Sequence, residues 1–286
     1  MTPDTADTCD ITLFIACYNE EENILKAIGH VVEATTTVGC TYDIVIIDDA
    51  SRDRSVELIR GYMDLHPGIP IKLLVNDSNQ GLGTNYSEAA FHGRGRYYRL
   101  IVGDDEERVE SIIAVLKHLG EADMILTYHA DTSHRAPVRR VISRCFTALV
   151  NLLSGNRLHY YNGLAVHRRH DVLRWHSHAH GFGFQADMIT RLLDFGATYI
   201  EVPVVPKERT EGATKAFTFR NICSVGHTLL EIFIRRVAKL LYPRNFAKLA
   251  RAPRVFETPA FGDFGGDVRG DRVPASSTTR IDPMPS

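Results

Sequence analysis

The chain has 286 residues, of which 44% are hydrophobic, enough to form one large α/β domain or two small ones. Its 33 Lys and Arg residues nearly balance its 35 Asp and Glu residues, so the formal net charge of -2 argues against a broad nucleic-acid-binding surface. Five cysteines without a C-x-x-C pair predict no zinc site or disulfide framework, and an acidic start without a long apolar window predicts no signal peptide or membrane span, which favours a cytoplasmic location.

The N-terminal part begins with a predicted flexible segment, residues 1–10, followed by a buried strand over residues 11–16. A loop and a helix come next, and Asn19 is expected to cap this helix, with Glu22 three residues later. The apolar residues of the helix recur at a period of about 3.6, which predicts one buried face. These residues are Ile24, Ile28, Val31 and Val32.

The same rhythm repeats twice along the next 80 residues. A second strand has the sequence YDIVIID and precedes the helix VELIRGYM. A third strand, IKLLVN, precedes the turn NQGLGTN and another helix. The fourth strand, YYRLIV, is followed by the segment GDDEE. Strands that are apolar throughout, rather than alternating, indicate a sheet covered on both faces. The sequence therefore predicts a Rossmann-like, mostly parallel α/β sheet flanked by helices, with ligands at the carboxyl ends of its strands.

Acidic residues follow three of these strands and are expected to share that edge of the sheet. They lie within Tyr18–Glu20, Asp48–Asp49 and Asp104–Glu107. Carboxylates gathered in one place repel one another unless a cation or hydrogen-bond donors lie between them, which favours a sugar nucleotide with a divalent metal. The alternative is helix capping, by Asp49 or Ser51 before VELI and by Glu106 or Glu107 before VESIIAVL.

These segments carry a family resemblance. The chain contains ACYNEEENI, IDDASRD, NQGLG, GDDEE, GFGFQADM and ERTEGATK, in this order. In order and spacing they resemble the motifs of the inverting family 2 glycosyltransferases with a GT-A fold, in the branch similar to dolichyl-phosphate mannose synthase. The resemblance extends over residues 11–236 and implies transfer of a hexose from a GDP- or UDP-sugar.

The resemblance also implies roles for single residues. Donor contacts are expected at Ala16, Tyr18, Glu20, Ile47, Asp49 and Asp104. Asp105 and Glu107 would hold a Mg²⁺ or Mn²⁺ ion at the diphosphate, where the new negative charge of the leaving group develops. Four residues depart from the family pattern: Ala16 replaces proline, Gly103 an aspartate, Glu107 glutamine and Glu208 aspartate.

The acceptor implied by the resemblance is a lipid phosphate such as polyprenyl phosphate. Its candidate cationic ligands are Arg135, Arg144, Arg209 and Lys215. An ionised phosphate needs no general base, whereas a hydroxyl acceptor would, and Asp187 is the best candidate base. Asp105, Asp187 and Arg209 are thus the predicted catalytic residues. A protein that binds sugar nucleotides without transferring them is a third possibility, because Gly103 removes one acid of the metal motif.

After the flexible start, we expect the chain to divide into a catalytic domain over residues 11–218, an amphipathic helical segment over 219–250 and a disordered tail over 251–286. The helix is expected to turn its apolar stripe inward, opposite a polar stripe. The predicted apolar stripe is Ile222, Val225, Leu229, Phe233, Val237 and Leu240, and the polar stripe is Arg220, Ser224, His227, Glu231, Arg235 and Lys239. Basic residues in this region also predict peripheral contact with the inner face of an anionic membrane.

Overall fold

The computed structural model describes residues 8–104, 107–130, 137–175, 183–205 and 219–242. Within these residues, one sheet contains the strands β1 (Cys9–Cys17), β2 (Tyr42–Asp48), β3 (Ile71–Val75), β4 (Gly95–Val102), β5 (Met124–His129), β6 (Val166–Arg168) and β7 (Tyr199–Val204). The helices in the same ranges are α1 (Ile24–Val38), α2 (Ser55–Leu65), α3 (Leu82–His92), α4 (Val109–Leu116), α5 (Pro137–Ser154), α6 (Arg169–Arg174), α7 (Phe184–Asp194) and α8 (Phe219–Leu241).

The sheet has the strand order β3-β2-β1-β4-β6-β5-β7, and β6 is antiparallel to both of its neighbours. The other pairings are parallel, which confirms the predicted mostly parallel α/β sheet. The chain continues from β1 to β2 on one side and places β4 on the other side of β1. In open α/β sheets, ligands bind near the position where the strand order reverses in this way.

Both faces of the central strands are buried, which explains their continuous apolar sequences. Leu13 and Ile15 of β1 pack in a core cluster that includes residues of α1, α2 and α4. Phe14, between them, faces the opposite cluster, where residues of α3, α5, α7 and α8 cover the sheet. Successive strand residues point to opposite faces, so each face needs its own apolar set.

The ends of two predicted segments differ in the structure. The first strand begins at Cys9, so residues 9 and 10 belong to the sheet rather than to a flexible terminus. Asp10 holds this end of the strand in place, because its carboxylate accepts hydrogen bonds from the N–H group and hydroxyl of Thr41 at 2.8 and 2.7 Å. The C-terminal helix ends at Leu241. The predicted helical residues 243–250 and the tail over 251–286 lie outside the described residues.

The C-terminal helix α8 agrees with the predicted orientation only in part, because Leu229 packs against the core as expected while other residues do not follow the prediction. Arg235 and Lys239, expected on its outer side, form ion pairs with acids of α7. Phe233 and Leu240, expected inside, are 48% and 66% exposed. The predicted amphipathic character of α8 is confirmed, but the side that contacts the protein combines Leu229 and Ile232 with the charged side chains of Arg235 and Lys239. No helix within the described ranges is long and apolar enough to cross a membrane.

Candidate active site at the carboxyl ends of the strands

Three neighbouring strands end at the same level of the sheet, and this brings the sequence motifs together. Cys17 at the end of β1 is in register with Asp48 at the end of β2, and Ala16 is in register with Val102 at the end of β4. The residues that follow these strands therefore lie along one edge. This edge carries Tyr18, Asp49 and Asp104, as the sequence predicted.

The loop after β1 is tied to the loop after β2. Asn19 does not cap α1, which begins five residues later at Ile24. Its N–H group instead donates to the Ser51 hydroxyl at 2.8 Å, and its side-chain oxygen accepts from the N–H of Arg52 at 2.9 Å. These reciprocal bonds hold Asn19 in a left-handed conformation with φ 56°. The capping prediction for Asn19 is wrong, because its side chain bonds across the sheet edge rather than along its own helix.

Further bonds between the same two loops fix the backbone around Glu20. The N–H of Glu20 donates to the Ser55 hydroxyl at 3.0 Å, and the N–H of Glu21 donates to Asp53 at 3.0 Å. Asp53 also accepts from the N–H and hydroxyl of Ser55, so it is the residue that satisfies the start of α2. Next to this ordered region the ring of Tyr18 remains 50% exposed and available to a ligand.

Asp49 binds the glycine turn before α3 rather than capping α2. Its carboxylate accepts hydrogen bonds from the N–H groups of Gln80 and Gly81, at 2.8 and 2.9 Å. A third bond, from the side chain of Asn76, is 2.9 Å long. Burial alone would raise the pKa of Asp49, but the bonds from Gln80, Asn76, Asn85 and Gly81 together lower it. The alternative that Asp49 or Ser51 caps α2 is therefore wrong.

The turn that Asp49 holds requires a glycine. Gly81 has φ 82°, a conformation that L side chains rarely adopt, and it immediately precedes α3. Two backbone N–H groups, of Gln80 and Gly81, point at the Asp49 carboxylate in this conformation. Asp49 thus orders the third loop of the site.

A cleft of about 490 Å³ lies among these three loops. Its lining includes Tyr18, Asp48, Ser51, Arg52, Asn76 and Asn79. Asp48 accepts from the Ser51 N–H at 2.9 Å through one oxygen, while its other oxygen, Oδ1, is buried and has no hydrogen-bond partner among the described residues. Asp48 has no exposed surface, so this oxygen is closed off from the open part of the cleft.

Not every predicted donor residue faces this cleft. Ile47 has no exposed surface and packs in the core cluster beneath the sheet, so the structure contradicts a donor contact by its side chain. Asp48, Ser51 and Asn76 line the cleft but were not assigned as donor residues from the sequence. Their positions at or just after strand ends, close to motif residues, could have indicated that these three residues line the cleft.

Two of the departures from the family pattern touch each other. The N–H of Gly103 donates to the carbonyl of Ala16 at 3.0 Å. A Cβ atom at Gly103 would lie 2.6 Å from this carbonyl oxygen, which is closer than side chains tolerate. The backbone approach between β1 and β4 therefore favours glycine at the position where the family pattern has an aspartate. Asp104 follows and is partly exposed, whereas Asp105 lies outside the described residues.

Glu107 is paired with an arginine that the sequence analysis did not single out. Arg99 of β4 is fully buried, and its guanidinium donates to Glu107 Oε1 and to the carbonyl of Leu164, the latter at 3.2 Å. The second carboxylate oxygen of Glu107, Oε2, is buried and has no hydrogen-bond partner among the described residues. Glu107 does not cap α4, which begins at Val109 without a side-chain cap.

This arrangement bears on the predicted metal site. Hard divalent cations prefer carboxylate oxygens, and Oε2 of Glu107 is such an oxygen without a donor. Oε1, in contrast, is already bound by Arg99, whose charge opposes a nearby cation. The chemistry of Glu107 thus fits a metal through one oxygen. The described residues contain no group of three or more potential metal ligands.

Asp187, the candidate base, is fully buried between two helices. Arg235 of α8 donates to its Oδ1 at 2.7 Å, and Arg191 donates to its Oδ2 at 3.2 Å. Asp194, two turns further along α7, accepts from Arg235 and from Lys239 at 3.2 and 2.8 Å. Both oxygens of Asp187 are therefore engaged by guanidinium groups that join α7 to α8.

The candidate acceptor ligands are placed only in part. Arg144 lies on α5 and its side chain is exposed. Arg135, Arg209 and Lys215 lie outside the described residues, so their arrangement around an acceptor remains a prediction.

The family assignment follows from comparison with known proteins. Residues 12–174 match the model of glycosyl transferase family 2. The chain belongs to this family. The undecaprenyl-phosphate 4-deoxy-4-formamido-L-arabinose transferase of Edwardsiella ictaluri is 24% identical over 206 residues, covering 72% of this chain and 62% of that protein. A dolichyl-phosphate beta-glucosyltransferase of Trichomonas vaginalis is 24% identical over 157 residues, covering 49% and 46%. The chain thus spans less than two thirds of the length of these relatives.

Solved structures confirm the GT-A fold. The mannosyltransferase PcManGT of Pyrobaculum calidifontis, in complex with GDP-Man and Mn²⁺, gives a TM-score of 0.59 at 16% identity, covering 87% of this chain and 74% of that one. The glucosyl-3-phosphoglycerate synthase of Mycobacterium tuberculosis, in complex with UDP, gives 0.58 at 14% identity, covering 77% and 80%. At these identities the likeness establishes the fold.

Proposed function

We propose that this protein transfers a hexose from a nucleotide-sugar donor, with inversion, to a polyprenyl phosphate. The observation that carries the proposal is the cleft at the carboxyl ends of β1, β2 and β3, in a chain of glycosyl transferase family 2. A GDP- or UDP-sugar has a flat base, ribose hydroxyls and a diphosphate. The cleft offers the exposed ring of Tyr18 and the polar side chain of Asn76 for the first two of these.

In this proposal the main role of Asp49 is to hold the loops of the donor site in place, rather than to contact the nucleotide. Its carboxylate is committed to Asn76, Gln80 and Gly81 and holds the third loop around the cleft. Asp48, which has no exposed surface, would hold the second loop in place by accepting from the N–H group of Ser51. Glu20 and the backbone of Ala16 complete the donor side. These roles agree with the motif in which two adjacent aspartates follow the second strand.

The diphosphate would be bound beside Asp104, with Asp105 and Glu107 as ligands of a Mg²⁺ or Mn²⁺ ion. The ion would supply positive charge to the nucleoside diphosphate as the sugar leaves. The donor set supports this because Glu107 retains one oxygen without a hydrogen-bond partner. Arg99, buried below Glu107, fixes the orientation of the carboxylate through the other oxygen.

The choice of acceptor is supported by the environment of Asp187. A hydroxyl acceptor needs a base to remove its proton, but both oxygens of Asp187 are bound by Arg191 and Arg235 in a site without exposed surface. An ionised phosphate needs no base; it needs cations that position it. Arg135, Arg144, Arg209 and Lys215 are the proposed phosphate ligands, which agrees with relatives named for undecaprenyl-phosphate and dolichyl-phosphate substrates. The enzyme would then act from the cytoplasm at the inner membrane face.

The proposal is tested by radiolabelled transfer from UDP- and GDP-hexoses to a matched pair of acceptors, polyprenyl phosphate and the corresponding polyprenol. These differ only in the headgroup, so they separate a phosphate nucleophile from a hydroxyl. We expect labelled lipid with the phosphate alone, in a reaction that requires Mg²⁺ or Mn²⁺. Asp105→Asn should abolish it, and Arg209→Ala should reduce transfer while leaving nucleotide affinity nearly unchanged. Transfer to polyprenol instead, or donor binding without transfer to either acceptor, would overturn the proposal.

A further inference from the structure

The donor cleft contains two charged side chains to which the proposed function gives no role. Arg52 lies in the loop after β2 and Asp77 in the loop after β3; both are exposed, and both line the cleft. Arg52 is bonded through its backbone N–H group, but within the described part of the chain its guanidinium has no hydrogen-bond or ion-pair partner. The same holds for the carboxylate of Asp77. Both charges are therefore available to a ligand.

Other polar side chains of the cleft are already bonded to the protein. The Ser51 hydroxyl accepts a backbone N–H group at 2.8 Å. The amide of Asn76 donates to Asp49 at 2.9 Å, and the Ser78 hydroxyl accepts from the side chain of Gln80 at 2.9 Å. These bonds hold the loops in place. The two charges without partners are thus the groups of the cleft that can distinguish one ligand from another.

Apolar surface on either side of β2 gives the cleft two walls for a flat ring. Tyr18 follows β1 and Val75 ends β3, and their side chains are 50% and 47% exposed. Because β2 pairs with both of these strands, two strand spacings, or roughly 10 Å, separate the two positions. A flat base in van der Waals contact on both faces requires about 7–8 Å between the contacting atoms. The cleft can therefore hold a base between Tyr18 and Val75.

The hydrogen-bonding groups of the bases differ in how well they match one cation and one anion. Guanine has two acceptors, O6 and N7, to which arginine donates with its two-pronged guanidinium. It also has two adjacent donors, N1–H and the 2-amino group, which match the two oxygens of a carboxylate. Uracil has a single N–H group between two carbonyl oxygens, and these oxygens repel a carboxylate. An arginine and an aspartate together therefore favour guanine over uracil.

We propose that Arg52 and Asp77 select guanine as the base, so that the donor of this enzyme is a GDP-sugar. Asp77 accepts from N1–H and the 2-amino group, while Arg52 donates to O6 and N7. This inference rests on the proposed function, because it assigns the base of the donor bound in the same cleft. The family motifs gave no role to either residue and left the choice between GDP and UDP open.

The test is calorimetric titration of the full chain with GDP, inosine diphosphate and UDP at one fixed Mg²⁺ concentration, without acceptor. The three ligands share ribose and diphosphate, so differences in affinity report the base alone. Inosine diphosphate differs from GDP only in lacking the 2-amino group. We expect GDP to bind roughly tenfold more tightly than inosine diphosphate, and more tightly still than UDP, because each lost partner of a charged group weakens binding by about this factor.

Two variants separate the contributions of the charges. Asp77→Ala should bind GDP and inosine diphosphate equally, because the acceptor of the 2-amino group is gone. Arg52→Ala should weaken both ligands by the same factor, roughly tenfold, because both contain O6 and N7. Asp64→Ala and Arg60→Ala are the matched controls: they remove the same charges from exposed positions on α2, outside the cleft, and should leave all three affinities unchanged.

Thermal unfolding of the two cleft variants should match that of the unmodified chain, because both side chains are exposed. Equal affinities of the unmodified chain for GDP and UDP would overturn the proposal. So would a preference for GDP over inosine diphosphate that persists in Asp77→Ala. Sugar transfer to polyprenyl phosphate from a UDP-hexose but not from a GDP-hexose would overturn the base assignment and leave the proposed reaction intact. Selective binding of GDP without any transfer would support the base assignment and contradict only the proposed reaction.

Discussion

The guanidinium of Arg235 donates to Asp187 at 2.7 Å, in a contact where the aspartate has no exposed surface. This bond joins α8 to α7 and occupies the carboxylate that the sequence motifs suggest as a base. Removing one partner of a buried ion pair leaves the other charge uncompensated. The pair therefore has a structural consequence that must be separated from any role in catalysis.

Asp187→Asn should lower the free energy of unfolding by about 3–5 kcal/mol, the usual range for breaking a buried ion pair. Asp194→Asn is the matched control, because Asp194 also binds Arg235 but is not a candidate base. Both variants should retain similar rates of transfer to polyprenyl phosphate per folded molecule. Urea unfolding and transfer assays measure the two effects. A rate loss of about 10²–10⁴ in Asp187→Asn alone would instead identify Asp187 as a general base.

Glu107→Gln restores the residue of the family pattern but leaves Arg99 buried without a carboxylate. We expect a loss of about 3 kcal/mol in the free energy of unfolding. The double variant Arg99→Leu/Glu107→Gln should recover most of it, because neither charge then remains buried. A double-mutant cycle in urea gives the coupling energy. Additive losses in the two single variants would show that the pair does not stabilise the strand end.

Gly103→Ala should destabilise the protein by about 1–3 kcal/mol, because the added Cβ meets the carbonyl oxygen of Ala16. Gly29→Ala, within α1, is the matched control: no atom lies within 4 Å of its added Cβ. It should raise stability by about 0.5–1 kcal/mol through the higher helix propensity of alanine. Melting temperatures of the two variants therefore shift in opposite directions. A stable Gly103→Asp protein would contradict this account of the altered motif.

Asp49→Ala should weaken nucleotide affinity by roughly 1–3 kcal/mol, because the third loop loses the carboxylate that receives its N–H groups. Gly81→Ala tests whether loop order is the cause. It leaves the carboxylate intact, and the space around Gly81 is open, but it strains the backbone at φ 82°. Both variants should lose affinity in calorimetric titrations with UDP and GDP. Full affinity in Gly81→Ala, together with loss in Asp49→Ala, would indicate direct contact between Asp49 and the nucleotide.

His167 predicts a pH dependence of stability. Burial lowers the pKa of this fully enclosed imidazole from 6.5 to about 4. Its neutral form is favoured by folding, so the stabilisation is complete above pH 6.5 and is lost as the pH falls toward 4. Between pH 7 and pH 5 the loss is roughly 2 kcal/mol. Urea unfolding at these two pH values should show a smaller difference for His167→Leu than for the unmodified chain. Identical pH dependences would contradict the shift.

Much of the fold could be predicted because its signals are local. Largely apolar sequences of six or seven residues predicted the central strands, and a period near 3.6 predicted α1 and α8 as amphipathic helices. The candidate site could be located for the same reason, since parallel strands place their carboxyl ends at one edge. Tyr18 and Asp49 lie at that edge as expected. The lining role of Asp48 and Asn76 depends on side-chain direction, which the motifs do not specify.

The sequence by itself determined the class of sheet, the order of its first four strands and the helices between them, and the edge where the acids gather, because these follow from periodicity and chain direction. Only the tertiary structure decided what the acids bind. The Asp49 carboxylate accepts hydrogen bonds from N–H groups 31 and 32 residues further along the chain. Arg235 donates to Asp187, which lies 48 residues earlier in the sequence. Such pairings depend on how helices pack, so the sequence predicted an amphipathic α8 but could not predict which of its two sides contacts the protein.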